Sequence, residues 1–316
     1  MKQPLIILTG PTAVGKTKLS IALAKAVNGE IISADSMQVY KNMTIGTAKI
    51  MPEEMGGVKH HLIDVLEPEE EFNVVLFAKL AKQAIEQCRS QGKIPILVGG
   101  TGFYIQAVLY DIDFTENDDD KSYREELEQL AKEQGPEVLH EKLKQIDAKA
   151  AEDIHPNNVK RVIRALEFFE KSDGQKISEH NEEQKQKESP YNFAYFVLND
   201  NRDIVYERIN RRVDLMLEQG LVSEVQTLLD ADVPTTAVSM QGLGYKEIVA
   251  YLKGECSLEE AVYVLKRDTR HFAKRQITWF KREEDVIWLN RPDYNGNDDE
   301  ILAEMLKIMK DKGMIP

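Results

Sequence analysis

Residues 5–27 read Leu5-Ile6-Ile7-Leu8-Thr9-Gly10-Pro11-Thr12-Ala13-Val14-Gly15-Lys16-Thr17-Lys18-Leu19-Ser20-Ile21-Ala22-Leu23-Ala24-Lys25-Ala26-Val27. Positions 10–17 satisfy the phosphate-loop pattern G-x-x-x-x-G-K-[ST] at every fixed position. The apolar run 5–8 predicts a buried strand before the loop, and 16–27 predicts a helix after it. That helix would aim its N-terminal dipole at an anion. Gly10 and Gly15 let the backbone curl through Pro11, Thr12, Ala13 and Val14 so that successive N–H groups of the loop point into one hollow. Lys16 adds a point charge, and the Thr17 hydroxyl suits the Mg²⁺ that accompanies phosphates. The loop alone leaves open which phosphate compound is held.

Working outward, the first hundred residues alternate apolar strands (5–9, 30–34, 61–65, 94–98) with helical patterns (16–27, 74–91). That alternation predicts an α/β fold with a parallel sheet flanked by helices. Strand 94–98 runs into Gly99-Gly100-Thr101-Gly102, a second strand–glycine turn–helix junction. Ligands of such sheets sit beyond the carboxyl ends of the strands, so Asp35, Thr101 and the phosphate loop are expected to converge there. From about Asp113 the strands cease. We read 113–189 as a helical insertion, and 1–112 with 190–316 as the core to which a strand near 191–198 returns. The Glu-Lys-rich stretch 179–189 reads as a solvated loop or fraying helix. The last third reads as helical. Ser257 and Glu260 form a capping box that opens a long helix, with Leu258, Ala261, Leu265, Phe272, Gln276 and Trp279 on one side and Arg267, Arg270, His271, Lys274 and Lys281 opposite. Arg275 and Arg282 fall at the border.

The 316 residues suffice for two domains. The apolar runs are too short to span a membrane, and no cleavable leader is visible, so cytoplasmic residence is expected. Two cysteines, Cys88 and Cys256, are too few for a disulfide framework or a zinc site. His60 and His61, at a strand start, are expected to be structural. The net charge of −13 argues against a nucleic-acid partner only until it is mapped. Residues 111–137 carry eleven acids and three bases, and 283–300 carry seven acids and Arg291. Between them, 266–282 carries seven bases against Asp268. A local basic strip, not the total, is what phosphates sense.

A phosphate-loop kinase usually ends an apolar strand in a Mg²⁺-binding aspartate. Here 94–98 ends in Gly99-Gly100-Thr101, and the strand-end carboxylate is Asp35, within Ser33-Ala34-Asp35-Ser36-Met37-Gln38-Val39-Tyr40. With Ile45-Gly46-Thr47-Ala48-Lys49, His60-His61-Leu62-Ile63-Asp64, His155-Pro156-Asn157, Arg161 to Leu166, Gly244-Tyr245-Lys246 and Lys274-Arg275-Gln276-Ile277-Thr278-Trp279-Phe280, the chain resembles the tRNA dimethylallyltransferases (tRNA isopentenyltransferases). Lacking the zinc finger of eukaryotic relatives, it resembles the bacterial form. The resemblance runs over most of the chain and implies a P-loop NTPase-like core with a helical insertion that contacts the tRNA anticodon stem-loop.

It also implies transfer of a dimethylallyl group from dimethylallyl diphosphate to N6 of adenosine 37, in tRNAs reading codons that begin with U. By the same resemblance Asp35 matches the general base, and Thr101 matches the threonine on the bridging oxygen of the diphosphate. Gly10 to Thr17, with Thr12 and Arg212, match the diphosphate site, while Lys16 and a Mg²⁺ on Thr17 stabilise the leaving group. Arg208 lies one helical turn before Arg212 and could share its face, although an ordinary surface salt bridge explains it equally well. Segments matching tRNA contacts contribute Asp35, Ser36, Met37, Gln38, Thr101, Arg124, Lys160, Arg161, Arg164, Gln241, Gly244, Tyr245, Lys246, Lys274, Arg275 and Lys281. Trp279 and Phe280 are expected in the core. No membrane partner is implied, and a monomer is expected. Without the resemblance, a small-molecule kinase using ATP would rank first.

Overall fold

The computed structural model describes residues 2–113 and 122–316. It divides into two compact units, Met1–Leu109 with Pro190–Pro316, and Tyr110–Ser189. Part of the acidic run 111–137, residues 114–121, lies outside the described residues.

The larger unit is built on six parallel strands in the order β3-β2-β4-β1-β5-β6. These are β1 (Gln3–Thr9), β2 (Gly29–Ala34), β3 (His60–His61), β4 (Ile94–Gly99), β5 (Tyr191–Asn199) and β6 (Val286–Asn290). Ile6 pairs with Ile96 on one side of β1 and with Ala194 on the other. With strands on both sides and helices over both faces, Leu5, Ile6, Ile7 and Leu8 have no exposed surface. This is why the run is continuously apolar and not alternating. Helices α1 (Lys16–Val27) and α13 (Asp298–Asp311) cover one face, packing Leu19, Leu23, Met305 and Met309 on Ile6, Leu8, Ile96 and Phe196. Elsewhere α2 (Val74–Ser90) and α3 (Gly102–Leu109) meet, with Phe77 stacked on Tyr104 at 4.6 Å.

Two sequence expectations are corrected. Strand 61–65 stops at His61, because Leu62 (φ 62°) and Asp64 (φ 54°) both turn left-handed. Lys49 holds that turn, its Nζ 2.5 Å from Asp64 Oδ1 and bonded to Tyr40 O. The last third is not wholly helical, since Val286-Ile287-Trp288-Leu289-Asn290 adds β6 beside β5. Its short apolar run is flanked by acids and is easily read as linker. The remaining helices of this unit are α9 (Arg202–Glu218), α10 (Leu221–Asp230), α11 (Tyr245–Leu252) and α12 (Leu258–Phe280). The Ser257–Glu260 capping box on α12 is present, with Glu260 N–H donating to Ser257 Oγ at 3.2 Å.

The smaller unit holds five helices among the described residues: α4 (Ser122–Gln134), α5 (Pro136–Ile146), α6 (Ala148–Asp153), α7 (Val159–Lys171) and α8 (Ile177–Lys185). Leu127, Leu139, Leu143, Val162 and Leu166 form its own core. Buried Asp147 caps α6 by accepting from Ala150 N–H, and it also accepts from Ser178 N–H and Oγ–H. The stretch read as a loop or fraying helix is largely α8, ending at Lys185.

One carboxylate organises the approach to the sheet end. Glu224, in the first turn of α10, accepts from the N–H groups of Thr44 (2.8 Å), Ile45 (2.7 Å) and Gly46 (3.0 Å) and from Tyr245 Oη (2.7 Å). Removing it orphans four donors, and hydrogen bonds to a charged group contribute about 1.5–3 kcal/mol each at most. Glu224→Ala is expected to lower unfolding free energy by about 2–4 kcal/mol in urea titration, whereas Glu218→Ala, on an exposed helix end, should change it by less than about 0.5 kcal/mol.

Candidate active site and basic face

The phosphate loop leaves β1 at Gly10 (φ 141°), turns left-handed at Ala13 (φ 62°) and Gly15 (φ 98°), and enters α1 at Lys16. Gly10 has no substitute, because a Cβ there would stand 2.1 Å from Leu198 O. Ala13 is wedged against Val205 and Ile209 of α9 and Ala273 of α12, so two later helices hold the loop's shape. Lys16 Nζ donates to Gly10 O and Pro11 O, both at 2.8 Å. Thr17 is exposed at the first turn of α1. Its hydroxyl therefore has room to hold a Mg²⁺ that also meets a bound phosphate chain.

The charges around the loop do not cancel. Burial pushes the Lys16 ammonium down to about 7, the nearby Arg212 pushes the same way, and Asp35 works against both. Arg212 is itself lowered by burial, with Asp35 again opposing. Two desolvated cations thus share one carboxylate, an arrangement that favours an incoming anion. Arg212 Nη1 reaches Thr12 Oγ1 at 3.3 Å. Arg208 does not share this position. It donates to Asp200 Oδ2 at 2.8 Å, so the salt-bridge alternative describes it.

Asp35 follows β2, its Oδ1 accepting from Met37 N–H (2.8 Å) and Gln38 N–H (3.3 Å). That turn leaves Oδ2 for other partners. Thr101, after β4, donates its N–H to Ala34 O at 3.4 Å, which sets it beside Asp35. The phosphate loop joins this pair through Gln276 of α12. Gln276 Oε1 accepts from Thr12 N–H (2.9 Å), and its Nε2 donates to Gly100 O (3.0 Å). A Cβ at position 100 would lie 2.1 Å from that Nε2 and one at position 99 would lie 2.2 Å from Ala34 O, which explains the Gly-Gly pair. The helical pattern marks Gln276 only as a packing position; a buried amide on an otherwise apolar stripe was the available signal.

Arg291 is the second residue that sequence reading misses. Buried at the end of β6, it donates Nε–H to Val14 O at 2.8 Å and sets Nη2 2.8 Å from Asp298 Oδ1. It braces the loop from a position 277 residues away, and no local pattern encodes that distance.

The outer face of α12 is basic. His271, Lys274, Arg275, Thr278, Trp279 and Arg282 line an open groove of about 510 Å³. Lys281 is exposed beyond it. The inner stripe is Ala261, Leu265, Ala273, Gln276 and Phe280, rotated from the expected one: Leu258 is exposed and Trp279 leaves the core for the groove. Trp279 packs on Gly102 and meets Phe103 edge-on at 6.2 Å. Other candidates divide by exposure. Ser36, Met37 and Gln38 are half-exposed, and Gln241 and Lys246 are exposed. Gly244 and Tyr245 are buried, with the Tyr245 ring against Gly46, so they position this segment and offer RNA no surface. In the smaller unit Lys160 and Arg161 are exposed. Arg124 there makes a two-pronged pair with Glu167 (2.9 and 2.6 Å), and half-buried Arg164 lies beside the same carboxylate.

The family model described as IPP transferase matches residues 38–283. A curated protein of Lachnoclostridium phytofermentans named tRNA dimethylallyltransferase is 67% identical, over 99% of each chain. A crystal structure described as the full-length tRNA isopentenylpyrophosphate transferase from Bacillus halodurans superposes with a TM-score of 0.73 at 45% identity, covering 99% of this chain and 98% of that one. A eukaryotic dimethylallyltransferase caught acting on tRNA gives a TM-score of 0.80 at 33% identity, covering 91% of this chain and 74% of that one. The chain belongs to the IPP transferase family.

Proposed function

We propose that the chain transfers a dimethylallyl group from dimethylallyl diphosphate to N6 of adenosine 37 in tRNAs reading codons that begin with U, releasing diphosphate. The observation that carries this reading is the pair of desolvated cations, Lys16 and Arg212, facing the lone carboxylate Asp35 at the carboxyl ends of the strands. The names of the relatives agree with it.

The adenine N6 lone pair is delocalised into the ring, so the amine attacks weakly. The allylic carbon must become electrophilic as its C–O bond breaks and the electron pair leaves on diphosphate. Gly10, Thr12, Ala13, Val14 and Gly15 aim backbone N–H groups at that charge, while Pro11, which has no N–H, fixes the turn between them. Lys16 and Arg212 neutralise it, and Thr101 hydrogen-bonds the departing bridging oxygen. A bound Mg²⁺ would neutralise more of it, held by Thr17. As the N6–C bond forms, Asp35 Oδ2 takes the N6 proton. Adenosine 37 must leave the stacked anticodon loop to reach Asp35. The α12 groove takes backbone phosphates beside it, and Trp279 offers an aromatic surface to a splayed base. In the insertion, exposed Lys160 and Arg161 support contact with the anticodon stem-loop. We further propose that the chain acts as a cytoplasmic monomer; no helix among the described residues is long and apolar enough to cross a membrane.

The direct test mixes protein, Mg²⁺, unmodified tRNA and dimethylallyl diphosphate and seeks isopentenyladenosine in the digested RNA by mass spectrometry. Product is expected from wild type, whereas Asp35→Asn, which keeps the amide-accepting oxygen, should lose roughly 10²–10⁴ in kcat with tRNA affinity within a few-fold. Wild-type turnover by that variant would remove the base. Lys274→Ala and Arg282→Ala should each raise the tRNA KM, leave the KM for dimethylallyl diphosphate unchanged, and flatten the log–log salt slope of tRNA binding by about 0.7. An unchanged slope would remove the groove from the RNA path.

A further inference from the structure

Away from the phosphate loop, near the amino end of β2, three donors of different chemistry converge. Glu30 is the second residue of β2, His61 ends the edge strand β3, and Cys88 lies in the last turn of α2. Cys88 is fully buried, and the side chains of Glu30 and His61 are 8% and 9% exposed. His61 Nε2 stands 2.7 Å from Glu30 Oε2. Cys88 Sγ stands 3.7 Å from the same oxygen and 3.6 Å from the same nitrogen. The proposed catalytic chemistry uses none of them.

We propose that Glu30, His61 and Cys88 form a binding site for a thiophilic divalent cation of the zinc class. Metal–sulfur bonds of about 2.3 Å and metal–nitrogen or metal–oxygen bonds of about 2.1 Å, set at tetrahedral angles, separate sulfur from either partner by about 3.6 Å. Both sulfur edges of the triangle already have that length. The third edge must open by about 0.7 Å to reach the nitrogen–oxygen separation the same bonds require. That change converts one hydrogen bond into two metal bonds. The donor set, one each of sulfur, imidazole and carboxylate, suits zinc far better than magnesium or calcium, which prefer oxygen alone.

Binding is proton-coupled. The Cys88 thiol, raised to about 12 by burial and by Glu30, gives up its proton as the metal–sulfur bond forms. His61 gives up the Nε2 proton it shares with Glu30 Oε2, carries its remaining ring proton on Nδ1, and offers the freed Nε2 lone pair to the metal. Lys59, whose Nζ is 3.9 Å from Glu30 Oε2, is half-exposed and can swing into solvent as the cation enters. The site would tie the shortest strand of the sheet, β3, to β2 and α2.

The test uses the full chain, purified without a polyhistidine tag and stripped with chelator. Addition of Co²⁺ should raise a thiolate-to-cobalt charge-transfer band that saturates at about one equivalent per chain, and Zn²⁺ should bleach it. The band should vanish in Cys88→Ser and persist in Cys256→Ser. Should Cys88→Ser fail to fold, Glu30→Gln preserves shape and the His61 contact. It should bind Zn²⁺ at least roughly tenfold more weakly in competition with a chromophoric chelator. Absence of the band in wild type, its survival in Cys88→Ser, or unchanged Zn²⁺ affinity in Glu30→Gln would each overturn the site.

Discussion

Lys16 and Arg212 stand in a desolvated hollow with Asp35 as their shared counter-charge, and the rest of the core is arranged to keep them there. Burial alone would drive an ammonium to lose its proton, and a second cation nearby adds to that pressure. The chain sustains this because the loop has few ways to relax. Gly10 is pinned under Leu198 O, Ala13 is wedged between α9 and α12, and Arg291 holds Val14 from behind. An arriving anion supplies the counter-charge these groups lack and restores the lysine's proton, an electrostatic preorganisation that favours a leaving diphosphate.

Helix α12 links the two substrates' territories. Its inner side carries Gln276, the amide strut between Thr12 and Gly100, and its outer side carries Lys274, Arg275 and Thr278. A shift of this helix therefore reaches the phosphate loop, the Thr101 turn and the basic groove together. The Glu224 clamp plays a parallel part, tying residues 44–46 to α10 and α11 through backbone donors and Tyr245.

The phosphate loop, four strands with the return near 191–198, and the capped start of α12 were legible because each is written in contiguous residues: glycines at fixed offsets, apolar runs, a Ser-x-x-Glu box. What escaped reading is non-local. Arg291 acts across 277 residues, and β6 is a short apolar run between acids whose partner, β5, lies far back in the chain. Strand β3 ends early because Leu62 and Asp64 turn left-handed; aspartate tolerates that conformation, but nothing about a leucine in an apolar run announces it. Tyr245 falls in a segment matched to tRNA contact, yet it is buried and its hydroxyl is consumed by Glu224. Counting cysteines discouraged a zinc site because the third donor, Glu30, is a carboxylate and falls outside such a count.

The central claim is that this loop is a diphosphate grip whose lysine recovers its charge when the anion binds. With the free Lys16 near 7, most of it is neutral at about pH 8, and an anion raises its pKa so that binding draws in a proton. Affinity must then weaken as pH rises above the free value. Calorimetric titration of dimethylallyl diphosphate at about pH 8, in two buffers of different ionisation enthalpy, should report uptake of close to one proton per chain in wild type and almost none in Lys16→Met. Binding of equal strength with no proton uptake in wild type would contradict the account.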